Sequence, residues 1–293
     1  MVKPKILCIG SVLWDIIGHT SKDMKKGYDV PGRIRMIPGG VALNIAMTLA
    51  RYDVQPALLS CVGDDPAGKS LIEVLKAMGL DIEHMMISPD LMTDRYMAVE
   101  DNTGLVAAIA DAHSLEKVGN AILDPLRNGA LGDTNEPFKG IIALDGNLTS
   151  DLLSEINIDP CFAACDLRLA PASPGKAHRL KDIMTHPNAT LYVNREEAGL
   201  ILRAKFETSQ IAAKELINAG CARVLVTDGA QEVCLATSSS QISKLPRQVP
   251  VKKITGAGDT FMAAHIAAEF HGKSPEMAME FAVDTTAKYI AEI

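Results

Sequence analysis

An alternation along the chain limits what it can fold into more than any other feature. Short apolar runs of strand type occupy residues 6–9, 57–62, 140–144, 161–165, 189–193, 223–227 and 232–236. Longer runs with helical spacing lie between and after them, at 41–51, 66–78, 116–126, 174–185, 195–202, 208–219, 258–271 and 275–293. This order predicts βαβ units, and therefore an α/β fold whose mostly parallel central sheet is covered by helices on both faces. A chain of 293 residues, 47% of them apolar, has enough core for one large domain of this kind. Two stretches break the rhythm. Residues 16–38 are polar and hold Gly18, Gly27 and Gly32, and residues 93–112 alternate around the turn Asp101-Asn102-Thr103-Gly104. Both read as β-structure outside the main sheet.

The net charge of −7 argues against a surface that coats nucleic acid. No run of about 18 apolar residues suggests a membrane span. The first apolar run, Ile6-Leu7-Cys8-Ile9-Gly10, is too short for a signal peptide and reads as a strand. Six cysteines are scattered, and the one close pair, Cys161 and Cys165, lacks the spacing of a zinc site. Buried free thiols in a reducing cytoplasm are the expectation.

The stretch with most chemistry is Lys253-Ile254-Thr255-Gly256-Ala257-Gly258-Asp259-Thr260-Phe261. A β-type approach over residues 248–254 leads through small residues into an alanine-rich helix. The helix start offers unpaired amides to an anion, and the helix dipole adds to that preference. Asp259 falls in the same first turn, where a carboxylate is expected to stay ionised. Amides of Gly256, Ala257 and Gly258 as an anion hole, beside Asp259 as base, suit phosphoryl transfer. The plainer reading is a glycine turn whose Asp caps a helix.

Upstream, Asp15 follows the first strand, where ligands gather in doubly wound sheets. Gly39-Gly40-Val41-Ala42-Leu43-Asn44 puts two glycines before a helix and an amide one turn in, able both to donate to and to accept from a hydroxyl. Residues 63–70, Gly63-Asp64-Asp65-Pro66-Ala67-Gly68-Lys69-Ser70, match the P-loop pattern of nucleoside triphosphatases. Two carboxylates and a proline inside a phosphate-wrapping loop speak against that reading, and Asp65 reads better as an N-cap before Pro66. Asn194-Arg195-Glu196-Glu197 and Thr227-Asp228-Gly229 each follow a strand, which alone marks only helix starts and turns.

Taken together these motifs resemble the PfkB, or ribokinase-like, carbohydrate kinases over nearly the whole chain. Thr255 to Phe261 resembles the family's C-terminal signature, and Gly39 to Asn44 its N-terminal one. The resemblance implies a single ribokinase-like three-layer α/β/α domain over 1–293, with segments of about 16–38 and 93–112 forming a small β-sheet lid over the sugar. It implies that Asp15, Gly39, Gly40 and Asn44 hold sugar hydroxyls. Asn194 and Glu197 match the family's N-x-x-E motif, with Glu197 ordering a Mg²⁺-bound water, and Thr227 and Gly229 would meet the nucleotide. ATP and Mg²⁺ are the implied donor and metal, and a primary hydroxyl of a sugar or nucleoside the acceptor.

One departure bears on cations. Where the family usually has Asp-Thr before Thr255, this chain has Lys253 and Ile254, and an ammonium cannot ligate K⁺. A K⁺ requirement is therefore not expected. Asp145-Gly146-Asn147-Leu148 and Pro171-Ala172-Ser173-Pro174-Gly175-Lys176-Ala177 resemble the pseudouridine kinase branch more than ribokinase or fructokinase. Lys176 by itself reads as a solvated helix lysine. Kinases of ribose, fructose or 2-keto-3-deoxygluconate, a P-loop nucleoside triphosphatase and a sugar-binding protein without catalysis are the competing readings. Edge pairing of an exposed lid sheet would give a homodimer.

Overall fold

The computed structural model describes residues 4–292. The chain enters through β1 (Ile6–Ile9) and passes into two strands set apart from it, β2 (Leu13–His19) and β3 (Arg33–Gly39). Helix α1 (Val41–Ala50) returns it to β4 (Ala57–Leu59), and a short β5 (Cys61–Gly63) leads to α2 (Pro66–Ala77) and β6 (Met86–Ser88). The hairpin β7 (Arg95–Asp101) and β8 (Gly104–Asp111) follows, then α3 (Ser114–Val118). The remaining units are β9 (Ile141–Asp145), α4 (Ser150–Ile158), β10 (Asp166–Ala170), β11 (Ala189–Asn194), α5 (Arg195–Leu202), α6 (Ser209–Asn218), β12 (Arg223–Thr227), β13 (Val233–Thr237) and β14 (Gln241–Lys244). Helices α7 (Ala257–Phe270) and α8 (Pro275–Ala291) complete the chain.

The main sheet has the order β14-β13-β12-β11-β10-β9-β1-β4. From β4 to β12 every pairing is parallel, and β13 and β14 add an antiparallel edge. Residues alternate between two cores. Leu7 and Ile9 of β1, Leu191 and Val193 of β11 and Val224 and Val226 of β12 pack with the apolar faces of α4, α5 and α6. Ile6 and Cys8, with Tyr192 and Leu225 from the same two later strands, pack against α1, α2, α7 and α8. Strands buried on both sides need this double pattern, which is why they read as continuous apolar runs. Helix α7 is buried on nearly all sides from Thr260 to Ala268, and its alanines let α1 and α8 approach closely.

The second sheet, order β3-β2-β7-β8, is the lid. It is wider than expected, since β2 starts at Leu13 and β3 ends at Gly39. Asp101 accepts from the N–H and hydroxyl of Thr103, closing the β7–β8 turn as the sequence suggests.

Three local expectations fail. Residues 161–165 are not a strand: Asp159 caps the Cys161 N–H and Pro160 begins a short 3₁₀ turn, so β10 starts later, at Asp166. The approach over 248–254 is irregular, held instead by the Lys252 and Lys253 N–H groups donating to the Ile290 carbonyl at 3.0 and 3.1 Å. The segment 174–185 is two 3₁₀ turns rather than one helix. Three elements were not foreseen, α4, β6 and β14.

Candidate active site

At the carboxyl ends of β1, β9, β10, β11 and β12, under the lid, lies a cleft of about 630 Å³. Its floor is the start of α7. Gly256 caps that helix with φ 83°, and a Cβ there would lie 2.6 Å from the Tyr289 hydroxyl, so only glycine fits the turn. The three amides expected to form an anion hole are not equivalent. The Ala257 N–H donates to the Ile254 carbonyl at 3.0 Å, whereas the Gly256 and Gly258 N–H groups have no protein acceptor among the described residues. A Cβ on Gly258 would meet nothing within 4 Å, and the residue is exposed in the cleft.

Asp259 lines the cleft floor, and its Oδ2 accepts from Asn44 Nδ2 at 2.8 Å. The expectation that it simply stays ionised is corrected. Burial pushes its pKa up to about 7, the Asn44 donor opposes the rise, and the charges of Asp145, Asp15 and Glu197 add to it. The helix start favours the anion, but loss of water and three nearby carboxylates outweigh it. A carboxyl poised near neutrality can take a proton from an alcohol and return it.

The glycine pair has a packing cause. A Cβ on Gly39 would lie 2.1 Å from Asp15 Oδ2, and one on Gly40, at φ 99°, would lie 2.4 Å from the Ser11 carbonyl oxygen. Gly39 therefore stands behind Asp15, while Gly40 and Asn44 reach the cleft. Asp15 sits on lid strand β2 and not at the end of β1, opposite Tyr96 of β7 in register. Burial raises its pKa to about 6, against the pull of the Lys253 ammonium.

Asp145 is the hub behind the cleft. It is fully buried and accepts from Ser11 N–H, Ala42 N–H and Asn147 N–H at 2.8, 3.2 and 2.8 Å. The α1 start is thus occupied by a protein carboxylate. A Cβ on Gly10 would lie 2.2 Å from Asp145 Oδ2, which explains that glycine as well.

On the far wall, Asn194 and Glu197 form a reciprocal capping box. Asn194 Oδ1 accepts from the Glu197 N–H and Glu197 Oε2 from the Asn194 N–H, both at 2.8 Å. Both also line the cleft, with Thr227 beside them. Burial holds Glu197 above the usual carboxylate range. Gly229 is exposed and does not line the cleft.

The P-loop reading fails on geometry. Asp65 caps α2 through the Gly68 N–H at 2.7 Å and also binds the N–H and hydroxyl of Thr93. Lys69 is exposed and pairs with Asp64 at 2.9 Å. A Cβ on Gly68 would lie 2.1 Å from the Gly63 carbonyl oxygen and 2.6 Å from Thr93 Oγ1, so the turn is packed against itself and Thr93. Lys176, in contrast, is not a solvated lysine. It is half-buried in the cleft wall and its Nζ donates to Asn147 Oδ1 at 2.6 Å. Ser11, Tyr96 and Asn147 are cleft residues that motif reasoning had not assigned. Their signal was proximity to strand ends, which the sequence shows only once strand order is known.

Comparison with known proteins places the chain. The family model for pfkB family carbohydrate kinases matches residues 3–292. Pseudouridine kinase of Escherichia coli (strain K12) is 30% identical over 267 residues, 89% of this chain and 82% of that protein. Ribokinase of Bacillus subtilis (strain 168) is 27% identical, covering 94% and 89%. Among solved structures, a carbohydrate kinase from Agrobacterium tumefaciens superposes with TM-score 0.80 at 25% identity, covering 97% and 90% of the two chains. Arabidopsis thaliana ribokinase complexed with ribose and ATP gives TM-score 0.79 at 20% identity, covering 99% and 93%. The chain is an enzyme of ribokinase-like fold and belongs to the pfkB family of carbohydrate kinases.

Proposed function

We propose that the protein transfers the terminal phosphoryl group of ATP to the primary hydroxyl of a nucleoside, with pseudouridine as the preferred acceptor. The observation that carries the reaction type is the α7 start, where an Asn44-held carboxyl near neutrality stands beside open backbone amides. Asp259 accepts the proton of the attacking hydroxyl. The Gly256 and Gly258 N–H groups donate to charge developing on the moving phosphoryl group, adding to the helix dipole. Asp15 and Asn44 face the acceptor's hydroxyls, and Asn194, Glu197 and Thr227 the nucleotide.

Among the described residues no group of three or more His, Cys, Asp or Glu forms a metal cage. Mg²⁺ commonly keeps its waters and binds through substrate phosphates, so a single second-sphere carboxylate fits it. Glu197 has that place, since its Oε1 has no protein donor among the described residues. Bound there, the ion would neutralise phosphate charge.

Two observations support the nucleoside reading. The similarity to a pseudouridine kinase is one. The Asp145–Leu148 turn and the Pro171–Ala177 segment also converge on the same cleft wall. The test is ADP release with ATP and Mg²⁺ against pseudouridine, uridine, adenosine, ribose, fructose and 2-keto-3-deoxygluconate. Turnover led by pseudouridine is expected, with the Asp259→Asn variant losing at least about 100-fold in kcat. Turnover on free sugars alone would discard the nucleoside, and near-normal rates in the variant would discard the base.

A further inference from the structure

Among the described residues Lys176 is an ammonium without a carboxylate partner, in a cleft rich in carboxylates. Its one protein acceptor among the described residues is Asn147 Oδ1. Asn147 is itself fixed, donating through Nδ2 to Ser11 Oγ at 2.8 Å and through its N–H to Asp145. Ser11 Oγ also accepts from the Val41 N–H at 2.9 Å, next to Gly40. A chain of hydrogen bonds thus runs from the buried hub through Ser11 and Asn147 to the ammonium. The neighbouring Arg179 is already engaged, with Glu116 at 2.8 Å and with the carbonyls of Gly146, Asn147 and Leu148. Asp145, Glu116 and Asp94 act on Lys176 only as distant charges, and burial lowers its pKa.

An ammonium offers three donors and no acceptor, and here one donor is used. A half-buried cation in that state calls for a ligand acceptor that carries no competing proton. Position selects among such acceptors. Asn147 follows β9, which pairs with β1, and Lys176 follows β10. The nucleotide-side residues Asn194 and Thr227 follow β11 and β12, further along the sheet. Lys176 is therefore tied to the wall shared with the lid-side residues Ser11 and Gly40. A sugar hydroxyl is already matched there by Asp15 and Asn44, which leaves the group attached to the sugar.

We infer that Lys176, held by Asn147, donates to a carbonyl oxygen of the substrate's base and so sets the preference for a nucleoside over a free sugar. The inference rests on the nucleoside reading above. It makes Lys176 a specificity residue, binding ground state and transition state alike, so its loss falls on KM.

The experiment compares wild type with Lys176→Met and Asn147→Ala, measuring kcat and KM for pseudouridine, ribose and ATP. A hydrogen bond from a charged donor is commonly worth about 10- to 100-fold in affinity. Lys176→Met is expected to raise KM for pseudouridine by about that factor. The kcat at saturation and KM for ATP should change little, and kcat/KM for pseudouridine relative to ribose should fall by the same factor. Asn147→Ala should shift the same ratio in the same direction. An equal loss on pseudouridine and ribose would overturn the base contact. So would a raised KM for ATP, which would give Lys176 to the nucleotide, or a selective loss on 2-keto-3-deoxygluconate, which would give it to a sugar carboxylate. If wild type ignores nucleosides altogether, the nucleoside reading itself falls. If wild type uses pseudouridine and both variants keep its KM, the inference about Lys176 falls alone.

Discussion

Asp259 meets opposed demands, and the balance is set by its neighbours. A proton acceptor must be ionised, yet the position that aims it at a substrate is poor in water and lies near Asp15, Asp145 and Glu197. Asn44 tips the balance back, because its N–H donates to the charged form. The sign is therefore fixed. The kcat/KM profile should rise with pH through about 7 as Asp259 loses its proton. Replacing Asn44 by Leu removes the donor, so the ascending limb should move to higher pH, by about one unit. A pH–rate profile of the variant checks this, and an unmoved midpoint would mean that Asn44 does not tune the base. Nothing in the residue order Gly39 to Asn44 shows this link. The two residues are 215 positions apart and meet only because α1 packs on α7.

Two elements show how local chemistry separates look-alike motifs. The turn at 63–70 has the spacing of a phosphate loop, yet its acidic and proline residues act as a helix start, with Asp65 as cap and Pro66 in the first turn. That much was legible from the residues alone. Lys69→Ala should accordingly keep kcat and KM for ATP within about twofold of wild type, because an exposed surface pair contributes little. A kinetic comparison would show a collapse of turnover if the turn did bind phosphate. The segment before α7 is the second element. Lys253 Nζ lies 4.6 Å from the centre of the Tyr289 ring, and Tyr289 OH donates to the Thr255 carbonyl at 2.7 Å. A fixed ammonium and an aromatic from α8 brace this loop, and the same charge pulls the Asp15 pKa down. Rates in K⁺ and in tetramethylammonium should therefore agree within about twofold, and strong K⁺ activation would refute a built-in cation. Where local chemistry was silent, reading failed. Residues 161–165 are apolar enough for a strand, whereas the true strand β10 carries Arg168. That residue is 4% exposed and is tolerated there through one near partner and two distant ones. Its guanidinium binds Asp166, Glu269 and the Tyr192 hydroxyl, and Tyr192 in turn meets His265 of α7 at 2.9 Å. No periodicity reveals an arginine made tolerable by a helix a hundred residues on.

At the scale of the molecule, alternation made the layers and the sheet legible, and short signatures marked where its strands end. The cost of bringing those ends together was not legible, because it exists only in the folded state. Asp15 and Asp259 have pKa values raised to about 6 and about 7, so each is easier to ionise in the unfolded chain than in the fold. For such groups the unfolded state binds fewer protons between their ordinary and raised values, and stability falls as pH rises through that window. Other groups act the opposite way. His265, pushed down to about 3 by burial, favours the fold increasingly as pH rises from about 3 to its ordinary value of 6.5. The net slope therefore mixes signs, but one difference isolates the active site. Asn at position 259 keeps an acceptor for Asn44 and cannot ionise. The melting temperature of Asp259→Asn should match that of wild type near pH 4. It should then rise above wild type as pH increases toward about 7, and hold a constant gap of about 5 °C or more beyond it. Paired thermal melts of the ligand-free proteins from pH 4 to 9 measure that gap. A gap independent of pH would mean that Asp259 carries no ionisation strain and that its carboxylate is settled in the empty cleft. A gap that opens across this window would mean that the base is held ready at the expense of the fold, with the same carboxyl limiting stability and accepting the proton.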